Sequence, residues 1–272
     1  MQMSETPSLY LDLMKQTLTY LVYGQEQYAV MNRPANFLKA RVYDALRRRN
    51  VMPMRALTID KEARINGRDY PTIAYTMIGM KRLENLQHCA TDVLHKNIPG
   101  DFIEAGTWRG GAAIFLRAIL KAYGIENRSV YVADSFEGLP PCDPTLYPAD
   151  ANADYSGLNL AVSLDQVKLN FSRFGLLDDQ VQFVKGWFKD TLPGLKDRKW
   201  SLIRLDGDLY ESTMDSLRHL YPNLSPGGYI AIDDYGGISS CREAVHDFRD
   251  MNQIKEEIHE VDWTGAYWQK QA

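Results

Sequence analysis

The sequence predicts an α/β protein with a doubly wound, mostly parallel sheet. Two observations carry this prediction. Downstream of Gly100, short apolar runs at 101–105, 129–133, 181–184, 201–205 and 228–232 alternate with stretches of helical periodicity. Turn residues punctuate them at Gly124, Pro140-Pro141, Pro193-Gly194 and Ser225-Pro226-Gly227-Gly228. Each run has the length and the branched or aromatic content of a strand buried on both faces. Strands alternating with helices are satisfied by a parallel sheet covered by helices on both sides.

The elements follow in order. Before Ile98-Pro99-Gly100 the pattern is mostly helical. Leu11, Met14, Leu18 and Leu21 form one apolar stripe, and Leu83, Leu86, Ala90, Val93 and Leu94 another. Residues 50–75 are mixed, with Pro53, Gly67 and Pro71, and read as loop or lid. The chain thus divides into an N-terminal helical extension and lid, 1–97, and an α/β domain, 98–272. Within the second part, Leu164, Val167, Phe171 and Phe174 mark one helix, and Met214, Leu217 and Leu220 another. The tail, 256–270, carries Ile258, Val261, Ala266, Tyr267 and Trp268 around Thr264-Gly265, which suits a closing antiparallel hairpin.

Composition narrows the function. The 272 residues have a formal net charge of −4, which argues against nucleic acid as a general partner. The basic run Arg47-Arg48-Arg49 reads as a solvated helix face. The three cysteines, Cys89, Cys142 and Cys241, form no CxxC pair, so a reducing cytoplasm is expected. Met1 to Ser8 is polar, without a basic segment leading into an apolar core, so no signal peptide is expected. No apolar run is long enough to span a membrane.

The run Asp101-Phe102-Ile103-Glu104-Ala105-Gly106 enters a glycine-rich turn, Thr107-Trp108-Arg109-Gly110-Gly111, and a helix begins at Ala112. In an open α/β sheet, ligands bind at such turns, outside the carboxyl ends of the strands. Gly106 allows a tight turn, and Gly110 and Gly111 a close backbone approach. The run is not G-x-G-x-x-G, because position 104 is Glu. A pyrophosphate is repelled by a carboxylate there, whereas the amino group of an amino-acid-bearing cofactor is attracted. Glu104 therefore favours S-adenosylmethionine over a dinucleotide. Glu104, Ala105, Gly106, Thr107, Trp108 and Gly110 are the candidate cofactor-binding residues of this turn.

Val130-Tyr131-Val132-Ala133 ends in Asp134-Ser135, the place from which an acidic residue accepts hydrogen bonds from a ribose diol. A helix N-cap is the plainer role for Asp134, but Pro140-Pro141 leaves little room for that helix. Gly186-Trp187-Phe188 follows the next strand, its rings suited equally to adenine or to core.

Asp206 ends the fourth strand of the domain, and Asp233-Asp234 the fifth. Adjacent parallel strands bring such ends together, and converging carboxylates repel one another unless protonated or bridged by a cation. A site made only of oxygen suits Mg²⁺, with Mn²⁺ as the alternative. No His/Cys set with zinc spacing exists. A cation beside an S-adenosylmethionine pocket points to O-methyl transfer, since a metal favours the ionised form of a bound hydroxyl. Asp206, Asp233 and Asp234 are the predicted metal ligands. Asp208 is the predicted general base, with Gly207 leaving space for the acceptor.

These segments, together with Leu9-Tyr10-Leu11-Asp12-Leu13, Thr76-Met77-Ile78-Gly79-Met80-Lys81-Arg82-Leu83 and Gly186-Trp187-Phe188-Lys189-Asp190-Thr191, resemble the macrocin O-methyltransferase family over nearly the whole chain. The resemblance implies a Rossmann-like class I methyltransferase fold with a seven-stranded sheet, S-adenosylmethionine and Mg²⁺. It also implies a hydroxyl acceptor on a deoxysugar attached to a macrolide or other aglycone. It assigns the metal to Asp206, Asp233 and Asp234 and the base to Asp208. It further implies that Thr76-Met77 closes over the cofactor, and that the segment before it forms a mobile lid and a contact within a homo-oligomer.

The loop from Cys142 to Ser163, with Tyr147 and Tyr155, resembles the family least, and Gly236-Gly237 loosens the loop beside the metal site. Both leave the acceptor open. His88 and His246 lie in helical patterns and are expected in core or surface roles; Tyr20, Tyr23 and Tyr28 are expected to be buried. Competing readings are a catechol- or phenol-type O-methyltransferase, a catalytically silent fold and, disfavoured by Glu104, a dinucleotide oxidoreductase.

Overall fold

The computed structural model describes residues 5–24, 26–151, 153 and 160–271. In chain order, α1 (Glu5–Leu18) is followed by β1 (Glu26–Val30), α2 (Phe37–Arg48), β2 (Met54–Thr58), α3 (Lys61–Ile65) and α4 (Met80–His95). The sheet region then runs β3 (Asp101–Ala105), α5 (Gly111–Ala122), β4 (Val130–Asp134), α6 (Leu164–Arg173), β5 (Val181–Lys185), α7 (Phe188–Thr191) and β6 (Trp200–Leu205). It closes with α8 (Tyr210–Leu220), β7 (Leu224–Ile232), α9 (Ser239–Met251), β8 (His259–Glu260) and β9 (Ala266–Gln269).

The seven-stranded sheet has the order β5-β4-β3-β6-β7-β9-β8. β5, β4, β3, β6 and β7 pair in parallel, and β9 returns antiparallel to β7, with Tyr229 opposite Gln269 and Ile232 opposite Ala266. The predicted strands and the closing hairpin are thus present. Strand alternation divides the core in two. Phe102, Val130, Val132 and Leu202 face a layer built from α1, α4, α5 and α6. Ile103, Tyr131, Ile203 and Ile230 face the layer of α8 and α9.

Leu11, Met14 and Leu18 of α1 and Leu83, Leu86 and Val93 of α4 belong to the same buried cluster as α5. The stretch before residue 98 therefore splits. Its two apolar stripes close the sheet core, while β1 and β2 form a separate antiparallel pair, Tyr28 opposite Ala56, with α2 between them in sequence. This strand pair lies where helix and loop are expected. Its side chains stay largely exposed, including Tyr28, Val30 and Met54, so no buried face imposes an alternation that a sequence pattern reveals.

Several helix starts have local causes. Asn36 Oδ1 accepts Leu38 N and Lys39 N, and Ser163 Oγ accepts Gln166 N. α8 has no such residue of its own. Its first two amides donate instead to Asp150, from Tyr210 N at 2.7 Å and Glu211 N at 3.2 Å. A buried carboxylate sixty positions away thus caps the helix.

Candidate active site

Four strand ends meet at the carboxyl edge of the sheet, where the order reverses between β3 and β6. They surround a cleft of about 710 Å³. Gly106, Thr107 and Trp108 line it after β3, Asp134, Ser135 and Gly138 to Pro140 after β4, and Trp187 to Lys189 after β5. Asp206, Gly207 and Asp208 line it after β6, Glu211, Ser212 and Asp215 from α8, and Met77 from the segment before α4.

The turn at Gly106 is obligatory. Its φ is +89°, and a Cβ there would lie 1.8 Å from the Asp206 carbonyl oxygen. β3 and β6 approach this closely because Asp206 N donates to Ala105 O. Gly111 has a different reason. A Cβ on it would lie 2.4 Å from Tyr75 O, so its bareness lets the 75–76 segment cross the start of α5. Thr76 is buried against that crossing, and Met77 beside it reaches the cleft. Arg109 secures the approach from outside, donating to Ala74 O at 2.7 Å and Thr72 O at 3.0 Å.

Asp134 stands on the cleft wall. One carboxylate oxygen accepts Thr107 N at 2.7 Å and the other Phe136 N at 2.6 Å. The Trp108 amide and Ser135 Oγ also reach this carboxylate, the latter at 3.4 Å. Burial pushes this carboxyl above its ordinary range, against the pull of those backbone amides.

Glu104 requires a correction. It is expected to face the amino group of the cofactor, but its side chain is 1% exposed and is absent from the cleft wall. Alternation puts it on the α5 side of β3, with Phe102. There it accepts Arg204 Nη1 at 2.6 Å, Thr107 Oγ1 at 2.8 Å and Ala113 N at 3.0 Å. Burial raises its pKa to about 7, with Arg204 opposing. Glu104 shapes the turn from behind. Ala105, Gly110 and Gly186 likewise stand behind the wall that Gly106, Thr107, Trp108, Ser135 and Trp187 present.

The acidic strand ends separate into two groups. Asp206, Asp208 and Asp234 offer carboxylate oxygens that all lie within 4.8 Å of one another. Burial raises all three, together with repulsion among them and from Asp233: Asp206 to about 6, Asp208 to about 8, and Asp234 well above its ordinary range. Oδ2 of Asp234 is buried with no hydrogen-bond partner among the described residues. An orphaned oxygen in an all-carboxylate cluster fits a hard cation.

Asp233 does not join this group, and here the predicted metal set differs from the geometry. Its carboxylate is 9% exposed and is held by Arg82 Nη1 and by Arg204 Nη2, the latter at 2.6 Å. Consecutive residues leave a strand end in opposite directions, so Asp233 turns towards α4 while Asp234 turns to the cluster. Asp208 takes the third place. Its φ of +56° folds the chain back after Gly207 and returns its carboxylate towards Asp206. Trp108 on the cleft wall and Phe136, in the core just after β4, share this left-handed backbone, at +47° and +58°.

Other expectations resolve simply. His246 Nε2 meets Tyr235 OH at 3.0 Å and the His88 ring packs on Tyr229, both away from the cleft wall. Tyr20 and Tyr23 stack at 4.3 Å, but Tyr23 and Tyr28 are more than half exposed rather than buried. Tyr155 lies outside the described residues. Lys189, Glu211, Ser212 and Asp215 line the cleft without having been anticipated. The i, i+4 spacing of Glu211 and Asp215 just after an acidic strand end was the available signal. Arg204 was missed too, although a lone charge inside the apolar run Ser201 to Leu205 is a signal of buried pairing.

This sheet order, with its cleft at the carboxyl edge, defines a Rossmann-like class I methyltransferase. The chain matches the family model described as Macrocin-O-methyltransferase (TylF) over residues 7–270, and it belongs to that family. It is 48% identical over 267 residues to an 8-demethyl-8-(2,3-dimethoxy-alpha-L-rhamnosyl)-tetracenomycin-C 4'-O-methyltransferase of Streptomyces olivaceus, covering 97% of this chain and 93% of that one. It is 48% identical over 269 residues to a mycinamicin III 3''-O-methyltransferase of Micromonospora griseorubida, covering 97% of each. The solved O-methyltransferase NovP superposes with a TM-score of 0.84 at 42% identity, covering 98% of this chain and all of that one. The protein is therefore an O-methyltransferase. No helix among the described residues is long and apolar enough to cross a membrane.

Proposed function

We propose that this protein transfers a methyl group from S-adenosylmethionine, with the help of Mg²⁺, to a hydroxyl of a deoxysugar on a macrolide-type or other glycosylated natural product. The observation that carries the reading is the cluster of Asp206, Asp208 and Asp234, with its orphaned buried oxygen, on the edge of the cleft. When bound, the cofactor supplies an electrophilic methyl and the cation supplies the Lewis acidity that makes an aliphatic hydroxyl a nucleophile.

The residues have separate tasks. Asp134 takes the ribose hydroxyls, and Gly106 and Thr107 let the backbone pass beside the cofactor. Trp187 offers a ring for adenine, and Met77 covers the opening. Asp206 and Asp234 hold the cation. Asp208 accepts the proton of the acceptor hydroxyl on a carboxylate oxygen as the methyl leaves sulfur. A positive charge beside Asp208 favours the ionised form this task needs. Fixing both reactants in one cleft removes much of the entropic barrier.

The sugar acceptor is supported by the relatives, one named for the 4'-oxygen of a rhamnosyl-tetracenomycin and another for the 3''-oxygen of mycinamicin III. The exposed apolar side chains of β1, α2 and β2, among them Tyr28, Phe37, Leu38 and Met54, support self-association. The test is methyl transfer from labelled S-adenosylmethionine to glycosylated macrolides, aminocoumarins and simple catechols, with Mg²⁺ and with EDTA. Transfer to a sugar hydroxyl, abolished by EDTA and restored by Mg²⁺, is the expected result. Transfer that survives EDTA, or that goes only to catechols, overturns the reading.

A further inference from the structure

Behind the cleft, a row of hydrogen bonds runs from the cofactor turn to the acidic strand ends. Thr107 N donates to Asp134 Oδ2 at 2.7 Å, and Thr107 Oγ1 donates to Glu104 Oε2 at 2.8 Å. Arg204 donates from Nη1 to Glu104 Oε1 at 2.6 Å and from Nη2 to Asp206 Oδ2 at 3.0 Å. We infer that Arg204 and Glu104 are positioning residues that couple the two halves of the site, so that a cation on Asp206 tightens the turn that holds the cofactor. The inference rests on the cation and cofactor reading above and adds to it the dependence of one site on the other.

The row is continuous and buried. β3 and β6 pair with Glu104 opposite Arg204, so both side chains leave the sheet on the same face. Glu104, Thr107 and Arg204 are all buried, and neither Glu104 nor Arg204 lines the cleft. Bonds in such surroundings are little screened by water, and each polarises the next.

Arg204 is also divided between partners. Its Nη2 reaches Asp233 Oδ1 at 2.6 Å as well as Asp206. The longer of these contacts is the one to the cation ligand. With a cation on Asp206, Arg204 loses that partner and is repelled towards Glu104 and Asp233. A hollow of about 270 Å³, with Arg82, Asn85, Arg204 and Asp233 in its wall, leaves the guanidinium room to shift. Glu104 then keeps a fuller share of its counter-charge. Its other oxygen holds Thr107 Oγ1 and, at 3.0 Å, Ala113 N. Those donors stand at the two ends of the turn from β3 into α5, so fixing Glu104 fixes the whole turn. A turn ordered beforehand binds its ligand at a lower ordering cost.

The test is calorimetric titration of the full-length protein with S-adenosylhomocysteine, with and without saturating Mg²⁺, and the reverse titration with Mg²⁺. In the wild type, Mg²⁺ is expected to lower the Kd for S-adenosylhomocysteine about fivefold or more, and S-adenosylhomocysteine to lower that for Mg²⁺ by the same factor. Thr107→Val removes the hydroxyl that joins Glu104 to the turn and keeps the amide that holds Asp134. It should cut the factor to less than about twofold, and Thr107→Ser should restore it. Glu104→Gln, of the same shape, should act like Thr107→Val. A cooperative melt by circular dichroism reports that each variant is folded, and the Thr107 pair decides the matter alone if Glu104→Gln does not fold. A factor that persists in Thr107→Val means that the cation acts directly across the cleft, and overturns the inference. Binding of Mg²⁺ to the wild type without any change in the Kd for S-adenosylhomocysteine overturns it while the cation reading stands. No binding of Mg²⁺, with or without S-adenosylhomocysteine, removes both.

Discussion

Asp233 and Asp234 are neighbours of identical chemistry with opposite surroundings. Asp233 is neutralised by Arg82 and Arg204, and Arg82 also holds Asp262 at 3.0 Å. Asp234 faces Asp206 and Asp208 and keeps an oxygen with no partner among the described residues. Arg204 stands between the two groups, touching Glu104 and Asp233 on one side and Asp206 of the other within 3.0 Å. The difference teaches that acidity alone does not mark a site. Carboxylates matched by guanidinium groups hold the strand ends in place. Asp208 and Asp234, left in mutual repulsion, are the ones the proposed chemistry uses.

The comparison breaks most visibly at Asp208. Asp208→Asn is expected to lower kcat by about 10²- to 10⁴-fold, with the Kd for S-adenosylmethionine unchanged. A variant retaining near-normal turnover on a glycosylated acceptor would remove the base from this position.

The next effect is on stability. Arg204→Met leaves Glu104 and Asp233 buried without their shared cation, which should cost about 3–5 kcal/mol in denaturant unfolding. Asp233→Asn sharpens the same contrast. If Asp233 serves the arginine pair, Tm falls while Mg²⁺ affinity by calorimetry barely moves. If it ligates the cation once Mg²⁺ is present, the affinity falls with it. Asp206→Asn and Asp234→Asn should weaken Mg²⁺ in either case.

The crowded group also predicts a pH dependence. Asp206 and Asp208 have folded-state pKa values above their ordinary 3.8. The folded state therefore favours their protonated forms, and the associated stability is present below that ordinary value and lost as pH rises. Without metal, the Tm of the wild type relative to Asp208→Asn should decline between about pH 4 and about pH 8. Mg²⁺ should flatten that decline, and an unchanged slope on adding Mg²⁺ would contradict a cation at this cluster. The smallest effect belongs to Arg33 and Asp44, paired at 2.8 Å on the exposed surface. Arg33→Ala should leave Tm unchanged within error, despite a distance similar to those around Arg204, because solvent screens the pair.

Much of this was legible in advance wherever burial writes a period into the chain. The strand runs, the closing hairpin and the helix stripes of α1 and α4 all show it, because each buries a face. The β1–β2 pair was not legible, since its side chains remain exposed. In the candidate site, the placement of Gly106, Asp134, Asp206 and Asp234 at strand ends was legible. The direction of Glu104 and Asp233, and the cap that Asp150 places on α8, could not.

The sequence by itself determined the fold class, the carboxyl edge as the candidate site and the acidic character of that edge, since these follow from hydrophobic periodicity and from residue types at strand ends. Only the tertiary structure decided which carboxylate meets an arginine and which meets another carboxylate. That choice depends on side-chain direction and on partners far away along the chain, Arg82 with Asp233 and Asp150 with α8. It depends as well on the left-handed turn at Asp208, a conformation that the surrounding contacts impose against the residue's own preference.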